Sequence, residues 1–205
     1  MSAIEAYADI WCPFAHVGLR MVKTRRRERD RADVPLRIYA WPLELVNGRP
    51  QDPEVTAEHI RELRAQISAD LFEGFDQSRF PTTTLPALAL AARAYEYSAP
   101  MGEAVSFTLR DALFEEGRDI SNSSVLADIA SDHDIDAEQA TYADNVRRDW
   151  YEGQARGVKG SPHFFCGQND VFCPSLDIEK REDGHLLIRR NLEALNSFLD
   201  NCFLG

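Results

Sequence analysis

Cys12 is followed at once by Pro13, and the pair closes a short apolar run, Ala3 to Ile10. Downstream, Phe14, Val17 and Met21 fall at i, i+3 and i+7, one apolar face of a helix. Proline suits the first helical position, where its missing N–H costs nothing. This order predicts Cys12 at a helix cap, its sulfur facing unpaired backbone N–H groups and the positive end of the helix dipole. Both favour a thiolate, the nucleophilic form of a cysteine. The bland alternative is a small buried hydrophobe. His16, one turn on, is either a residue that holds the thiolate or a solvated helix residue, since i,i+4 spacing permits contact without requiring it. Trp11 and Phe14 are expected to wall the cleft, as hydrophobic side chains do around most ligand sites. His59, His133 and His185 show no ligand spacing, so no metal is assigned.

These residues need elements to hold them. Leu36, Ile38 and Ala40 alternate with Arg37 and Tyr39, a strand with one apolar face. Asn47-Gly48-Arg49-Pro50 and Asp52-Pro53 read as loop. Ile60, Leu63, Ile67 and Leu71 mark an amphipathic helix, and Thr82-Thr83-Thr84 starts an alanine-rich one running through Tyr97. Met101, Val105, Leu109 and Leu113 trace a third helix, Val125, Leu126 and Ile129 a fourth, and a last one is expected from Ala137 to about Arg156. The chain then returns to β character at Gly157-Val158-Lys159-Gly160-Ser161-Pro162-His163-Phe164-Phe165. A hairpin turn at Gly167 to Asp170 follows, flanked by Cys166 and Cys173, which could face one another but are expected to stay reduced. Leu192, Leu195, Leu199 and Cys202 form the face of a final helix.

The segment Asp9 to Gly18 resembles the active-site turn of the DsbA-like thioredoxin-fold proteins. More closely it is similar to the branch holding FrnE-type oxidoreductases, 2-hydroxychromene-2-carboxylate isomerases and kappa-class glutathione transferases. The resemblance implies an α/β protein, a thioredoxin fold with a large all-α insertion. Its core would be residues 1–52 and 155–205, and its helical insertion residues 53–154. It also implies that Pro162 is cis and lies against Cys12, with the Ser161 backbone offering hydrogen bonds to an incoming thiol. Dithiol relatives carry Cys-Pro-x-Cys, whereas here the motif is Cys12-Pro13-Phe14-Ala15, so the resolving cysteine is absent from position 15. In the isomerase and transferase relatives a serine that positions the glutathione sulfur stands where Cys12 stands.

Composition narrows the field. The 205 residues are 44% hydrophobic and 28% charged, ordinary for a soluble globular protein. A net charge of −11 argues against nucleic acid or an anionic membrane as the main partner. The one basic cluster, Lys23 to Arg31, reads as the solvated end of the first helix. No signal peptide or membrane-spanning stretch is evident, and four cysteines without metal-finger spacing fit a reducing cytoplasm. Three functions stay open. Cys12 could be the single nucleophile of a thiol-disulfide oxidoreductase acting on a small thiol or a disulfide-containing substrate. It could replace the serine of a glutathione-dependent isomerase or transferase, although a sulfhydryl is the weaker donor. Or the chain could be a redox-inactive peptide-binding module or chaperone. No tightly bound cofactor is expected, only glutathione or another low-molecular-weight thiol, and a homodimer stays open. A depressed Cys12 pKa would favour redox chemistry, and a normal or raised one a binding module or structural thiol.

Overall fold

The structure, a computed structural model, describes residues 3–136 and 142–203. Strand β1 (Ile4–Ala8) runs through the Cys12 turn into helix α1 (Pro13–Glu28). Strand β2 (Leu36–Ala40) returns parallel to β1, with Ile4 opposite Leu36 and Ala8 opposite Ala40. Five helices follow: the short α2 (Leu43–Asn47), α3 (Pro53–Gln66), α4 (Leu85–Tyr97), α5 (Ala99–Phe114) and α6 (Ser123–Asp132). After α7 (Tyr142–Ala155) come the hairpin β3 (His163–Cys166) and β4 (Asn169–Phe172), then the hairpin β5 (Leu176–Lys180) and β6 (Leu186–Arg190), and last α8 (Leu192–Phe203).

The larger sheet has the order β2-β1-β3-β4, with β3 antiparallel to both β1 and β4. Its strand β1 is covered on both faces, which is why its sequence is nearly continuous in apolar residues. Ile4, Ala6 and Ala8 face a cluster that includes Leu19 and Val22 of α1 and Leu195, Phe198 and Leu199 of α8. Tyr7 faces the other way, stacked on Tyr39 at 5.0 Å and edge-on to Trp41 and Phe165. Helix α7 comes close to this second face because Gly153 has no side chain: a Cβ there would sit 2.6 Å from Trp41.

Several boundaries depart from the sequence reading. Helix α3 stops at Gln66, so Ile67 and Leu71 lie beyond it. The amide of Ser68 satisfies the Leu63 carbonyl at 2.9 Å, and Arg190 takes the Ile67 carbonyl, so the chain turns instead of adding another turn of helix. Helix α2 includes Asn47, in a stretch read as loop, and ends at Gly48 in the left-handed region, φ 67°. The expected helix start at Ala137 lies outside the described residues. The basic run is only partly solvated. Arg26 is buried, donating to the Val34 carbonyl at 2.7 Å and to Glu103 Oε1 at 2.5 Å, because this end of α1 packs against α5. Cys166 and Cys173 sit at opposite ends of their hairpin: Cys166 is opposite Asn169, while the Cys173 amide donates to the Pro162 carbonyl at 3.0 Å.

Candidate active site

Cys12 occupies the N-cap of α1 with Pro13 in the first turn, at the carboxyl end of β1. The Ser161–Pro162 peptide bond is cis. The Cys12 Sγ–H donates to the Ser161 carbonyl at 3.1 Å, while the Ser161 Oγ accepts from the Asp9 amide at 2.9 Å. The two chain segments, 149 residues apart in sequence, are thus joined on either side of the sulfur. Gly18, nearly two turns further along α1, permits the approach: a Cβ there would lie 3.4 Å from Pro162 Cγ.

The electrostatics of the sulfur differ from the expectation of a thiolate. The α1 amides of Ala15 and Phe14 point toward it without reaching full capping hydrogen-bond geometry. Burial pushes the Cys12 thiol up; the Ser161 side chain and the amides of Ala15 and Phe14 pull it down, and the Asp9 charge adds to the rise. The net direction is upward because Cys12 is almost fully covered, and desolvation acts on the charged form alone. At rest the site holds a thiol, and its proton makes the bond to Ser161.

Beneath Cys12 lies a polar pair that the sequence reading gave no role. Asp9 is fully buried. Its Oδ1 accepts from the Ile10 amide and from the Thr84 hydroxyl, both at 2.7 Å, and its Oδ2 accepts from the Leu43 amide at 2.5 Å. Burial raises its carboxyl to about 6 despite these bonds. Arg110, also fully buried, donates to the Asp9 carbonyl at 3.3 Å and to Ser106 Oγ at 2.6 Å. Burial lowers the guanidinium to about 10, and the negative ends of Asp9, Tyr95 and Cys12 hold it up. Asp9 thus links the cysteine turn to the cis-proline loop and to α2, α4 and α5. The signal in sequence was faint: an aspartate ending an apolar strand, and an arginine inside an apolar helix face.

Other candidates are placed elsewhere. His16 is fully buried but does not hold the sulfur. Its Nε2 meets Glu115 Oε1 at 2.7 Å, and its ring packs on Phe72 and Phe114. Burial lowers its pKa while Glu115 pulls it up, and Arg20 Nε reaches the same Nε2 at 3.2 Å. Trp11 is core, stacked on Phe80 at 5.8 Å, and not a cleft wall; Phe14 is half-buried against His59. Ala15, in the first turn of α1, is fully buried in the core. His163 faces away from Cys12: its Nδ1 accepts from the Lys159 amide at 3.1 Å and its Nε2 donates to Asp170 at 2.9 Å. His185, without ligand spacing in sequence, is brought by the fold to Glu58 at 3.4 Å and Glu62 at 3.1 Å. All four cysteines are reduced; Cys202 lies beside Cys166, which together with burial pushes its thiol up.

The fold that positions this site has a known counterpart. The profile of the DSBA-like thioredoxin domain matches residues 3–183. The chain belongs to this family. Among solved structures of the same DsbA-like fold, a probable DsbA oxidoreductase from Streptomyces coelicolor aligns with TM-score 0.65 and 22% identity over 83% of each chain. The cytosolic disulfide reductase DsbM from Pseudomonas aeruginosa aligns with TM-score 0.60 and 14% identity over 99% of this chain and 100% of that one, and it has also been solved with GSH. A 2-hydroxychromene-2-carboxylate isomerase aligns with TM-score 0.59 and 12% identity over 83% of this chain and 88% of that one. No curated protein matches the chain. Among the described residues, no helix is long and apolar enough to cross a membrane.

Proposed function

We propose that this DsbA-like protein is a thiol-disulfide oxidoreductase working in the reducing direction, with Cys12 as its nucleophile and a low-molecular-weight thiol, glutathione or another, as its reductant. The observation that carries this is the Cys12 sulfur held at 3.1 Å from the Ser161 carbonyl beside a cis-proline, at the start of a helix. In the first step Cys12 loses its proton and attacks one sulfur of the substrate disulfide. A Cys12 mixed disulfide forms, and the other substrate sulfur leaves as a thiolate that takes up a proton. A small thiol then attacks Cys12 Sγ of the mixed disulfide and releases the second substrate thiol. A second small thiol attacks the small-thiol sulfur of the resulting adduct, so that Cys12 is again a thiol and the two small thiols leave joined as their own disulfide.

Taken alone, the raised Cys12 thiol counts toward a binding module or structural thiol; within the redox reading it argues for a reductant over an oxidant. A strong oxidant of this fold type owes its potential to a stabilised reduced thiolate. Here burial withholds that stabilisation, so oxidised Cys12 is not driven back to the thiol by a gain in thiolate stability. A thiolate of high pKa is also intrinsically the better nucleophile once formed. The cytosolic reductase DsbM, solved with GSH, has the same fold, and a reducing cytoplasm suits four reduced cysteines.

A second reading is favoured by the same proton. A Cys12 that donates a hydrogen bond could orient a bound glutathione thiolate, as the serine does in isomerase and transferase relatives. The variant Cys12→Ser separates the readings. Reduction of a small disulfide with glutathione should fall at least a hundredfold in the variant, as expected for loss of a covalent nucleophile. Retained or improved glutathione-dependent isomerase or transferase turnover in Cys12→Ser would favour the second reading. Peptide binding with no turnover in the wild type would favour a binding module.

A further inference from the structure

Cys173 ends strand β4 where the hairpin meets the cis-proline, and its amide donates to the Pro162 carbonyl at 3.0 Å. The preceding residue, Ser161, is the one whose carbonyl holds the Cys12 sulfur. Both cysteines therefore border the same cis-proline loop, one from α1 and one from β4. The remaining pair, Cys166 and Cys202, lies at the other end of the hairpin. Cys173 is buried and its backbone is left-handed, φ 47°, a region that side-chain-bearing residues seldom enter. Such outliers concentrate at functional sites. Next to it Ser175 is buried, and its hydroxyl has no hydrogen-bond partner among the described residues. That hydroxyl and Pro162 both approach Gly18: a Cβ there would lie 3.6 Å from Ser175 Oγ and 3.4 Å from Pro162 Cγ.

We infer that Cys173 is the resolving thiol for Cys12. This rests on the redox reading above. The expected place for a resolving cysteine, position 15, holds a buried alanine. Cys173 would supply the same chemistry from another element. In the step, the Cys173 sulfur attacks Cys12 Sγ of the mixed disulfide. The bond between Cys12 and the substrate sulfur breaks, and a Cys12–Cys173 disulfide forms. The proton of Cys173 ends on the departing substrate thiolate, with the unpartnered Ser175 hydroxyl available to donate to whichever sulfur is charged. Over both steps the substrate disulfide gains two electrons and two protons, and the two protein thiols lose them. Two molecules of a low-molecular-weight thiol then reduce the protein disulfide and leave joined as their own disulfide. Burial and the nearby Cys12 sulfur push the Cys173 thiol up to about 12, so its attack depends on the transfer of its proton to the departing substrate sulfur.

The test uses the full-length reduced protein and oxidised glutathione, followed by acid quenching, intact mass and peptide mapping. The wild type should accumulate a species lighter than the reduced chain by two hydrogens, with Cys12 joined to Cys173. Cys173→Ser should instead hold glutathione on Cys12, and that adduct should persist on the order of tenfold longer or more, since an intramolecular attack has been removed. A wild type that stalls as a Cys12–glutathione adduct as long-lived as in Cys173→Ser overturns the inference and leaves the single-nucleophile reading intact. So does a disulfide that maps to Cys166 and Cys202. Absence of any adduct or disulfide at Cys12 overturns the redox reading itself. If Cys173→Ser does not fold, the wild-type map alone decides.

Discussion

Asp9 brings its carboxyl into the interior beside the reactive turn, and its titration is the clearest consequence of that placement. In the folded chain it takes up a proton below about pH 6, against 3.8 for an ordinary aspartate. The raised value means that the folded state binds the proton more tightly than the unfolded one. The Asp9 contribution to stability is therefore fully present below about pH 4, is lost as the pH rises through about 6, and changes no further above that. The difference is about 3 kcal/mol. A side-chain carbonyl NMR titration should show the Asp9 carboxyl with a midpoint near 6. A midpoint in the ordinary aspartate range would mean that the site is wetter than its hydrogen bonds imply. At this scale sequence went some way. The Cys12-Pro13 order located the cap and the family pattern pointed to Ser161 and Pro162. The charge state of the sulfur was out of reach, because helix-end effects are local while desolvation depends on everything packed around the residue. His16 failed for a related reason: i,i+4 spacing fixes which turn a side chain is on, not which way it points. Its buried ring was claimed by Glu115, a residue far along the chain.

The helices that follow β2 do more than fill space. Tyr95 of α4 reaches the outer edge of β2, its hydroxyl accepting from the Ile38 amide at 2.9 Å and donating to the Leu36 carbonyl at 3.1 Å. One hydroxyl thus stands in for a neighbouring strand on an edge that would otherwise present unpaired groups. Asp149 of α7 does the same for the Ala40 amide at 3.2 Å. Helix α5 can press on the Tyr95 ring because Gly102 is bare; a Cβ there would lie 2.1 Å from the ring. Tyr95→Phe should leave a buried N–H and a buried C=O without partners and lower unfolding stability by about 2 kcal/mol. Gly102→Ala should also destabilise the fold, through displacement of the ring. Chemical denaturation of each variant checks both; an unchanged midpoint for Tyr95→Phe would show that water replaces the hydroxyl at the edge. The helices themselves were legible from apolar spacing, since amphipathic faces are written locally. Their ends were less so, as at Gln66, where a carbonyl captured by Arg190 from β6 decides the stop.

Taken whole, the thioredoxin-like sheet and the helices inserted after β2 are joined through buried polar contacts. Thr84 and Arg110 bind Asp9, Tyr95 binds β2, and Glu115 binds His16 of α1 while also accepting from the Phe72 amide at 2.8 Å. Breaking any one of these leaves a buried group without a partner, so sheet and helices should unfold together. Far- and near-ultraviolet circular dichroism should report one coincident transition. Two separated transitions would show that the helices form an independent domain. The α/β architecture was legible because its family turn and its helix faces are local patterns. The convergence of Asp9 and Arg110 on the Cys12 turn was not, since those residues meet only through long-range packing. The most direct test of Cys12 as the reactive sulfur is mass-mapped alkylation of the folded protein across a pH series. All four thiols are nearly covered, so exposure alone does not rank them. Cys12 should react first, at a rate that is slow at neutral pH and climbs beyond the ordinary thiol range. Earlier modification of Cys166, Cys173 or Cys202, or a Cys12 rate already at its plateau at neutral pH, would contradict the proposed site and its raised thiol.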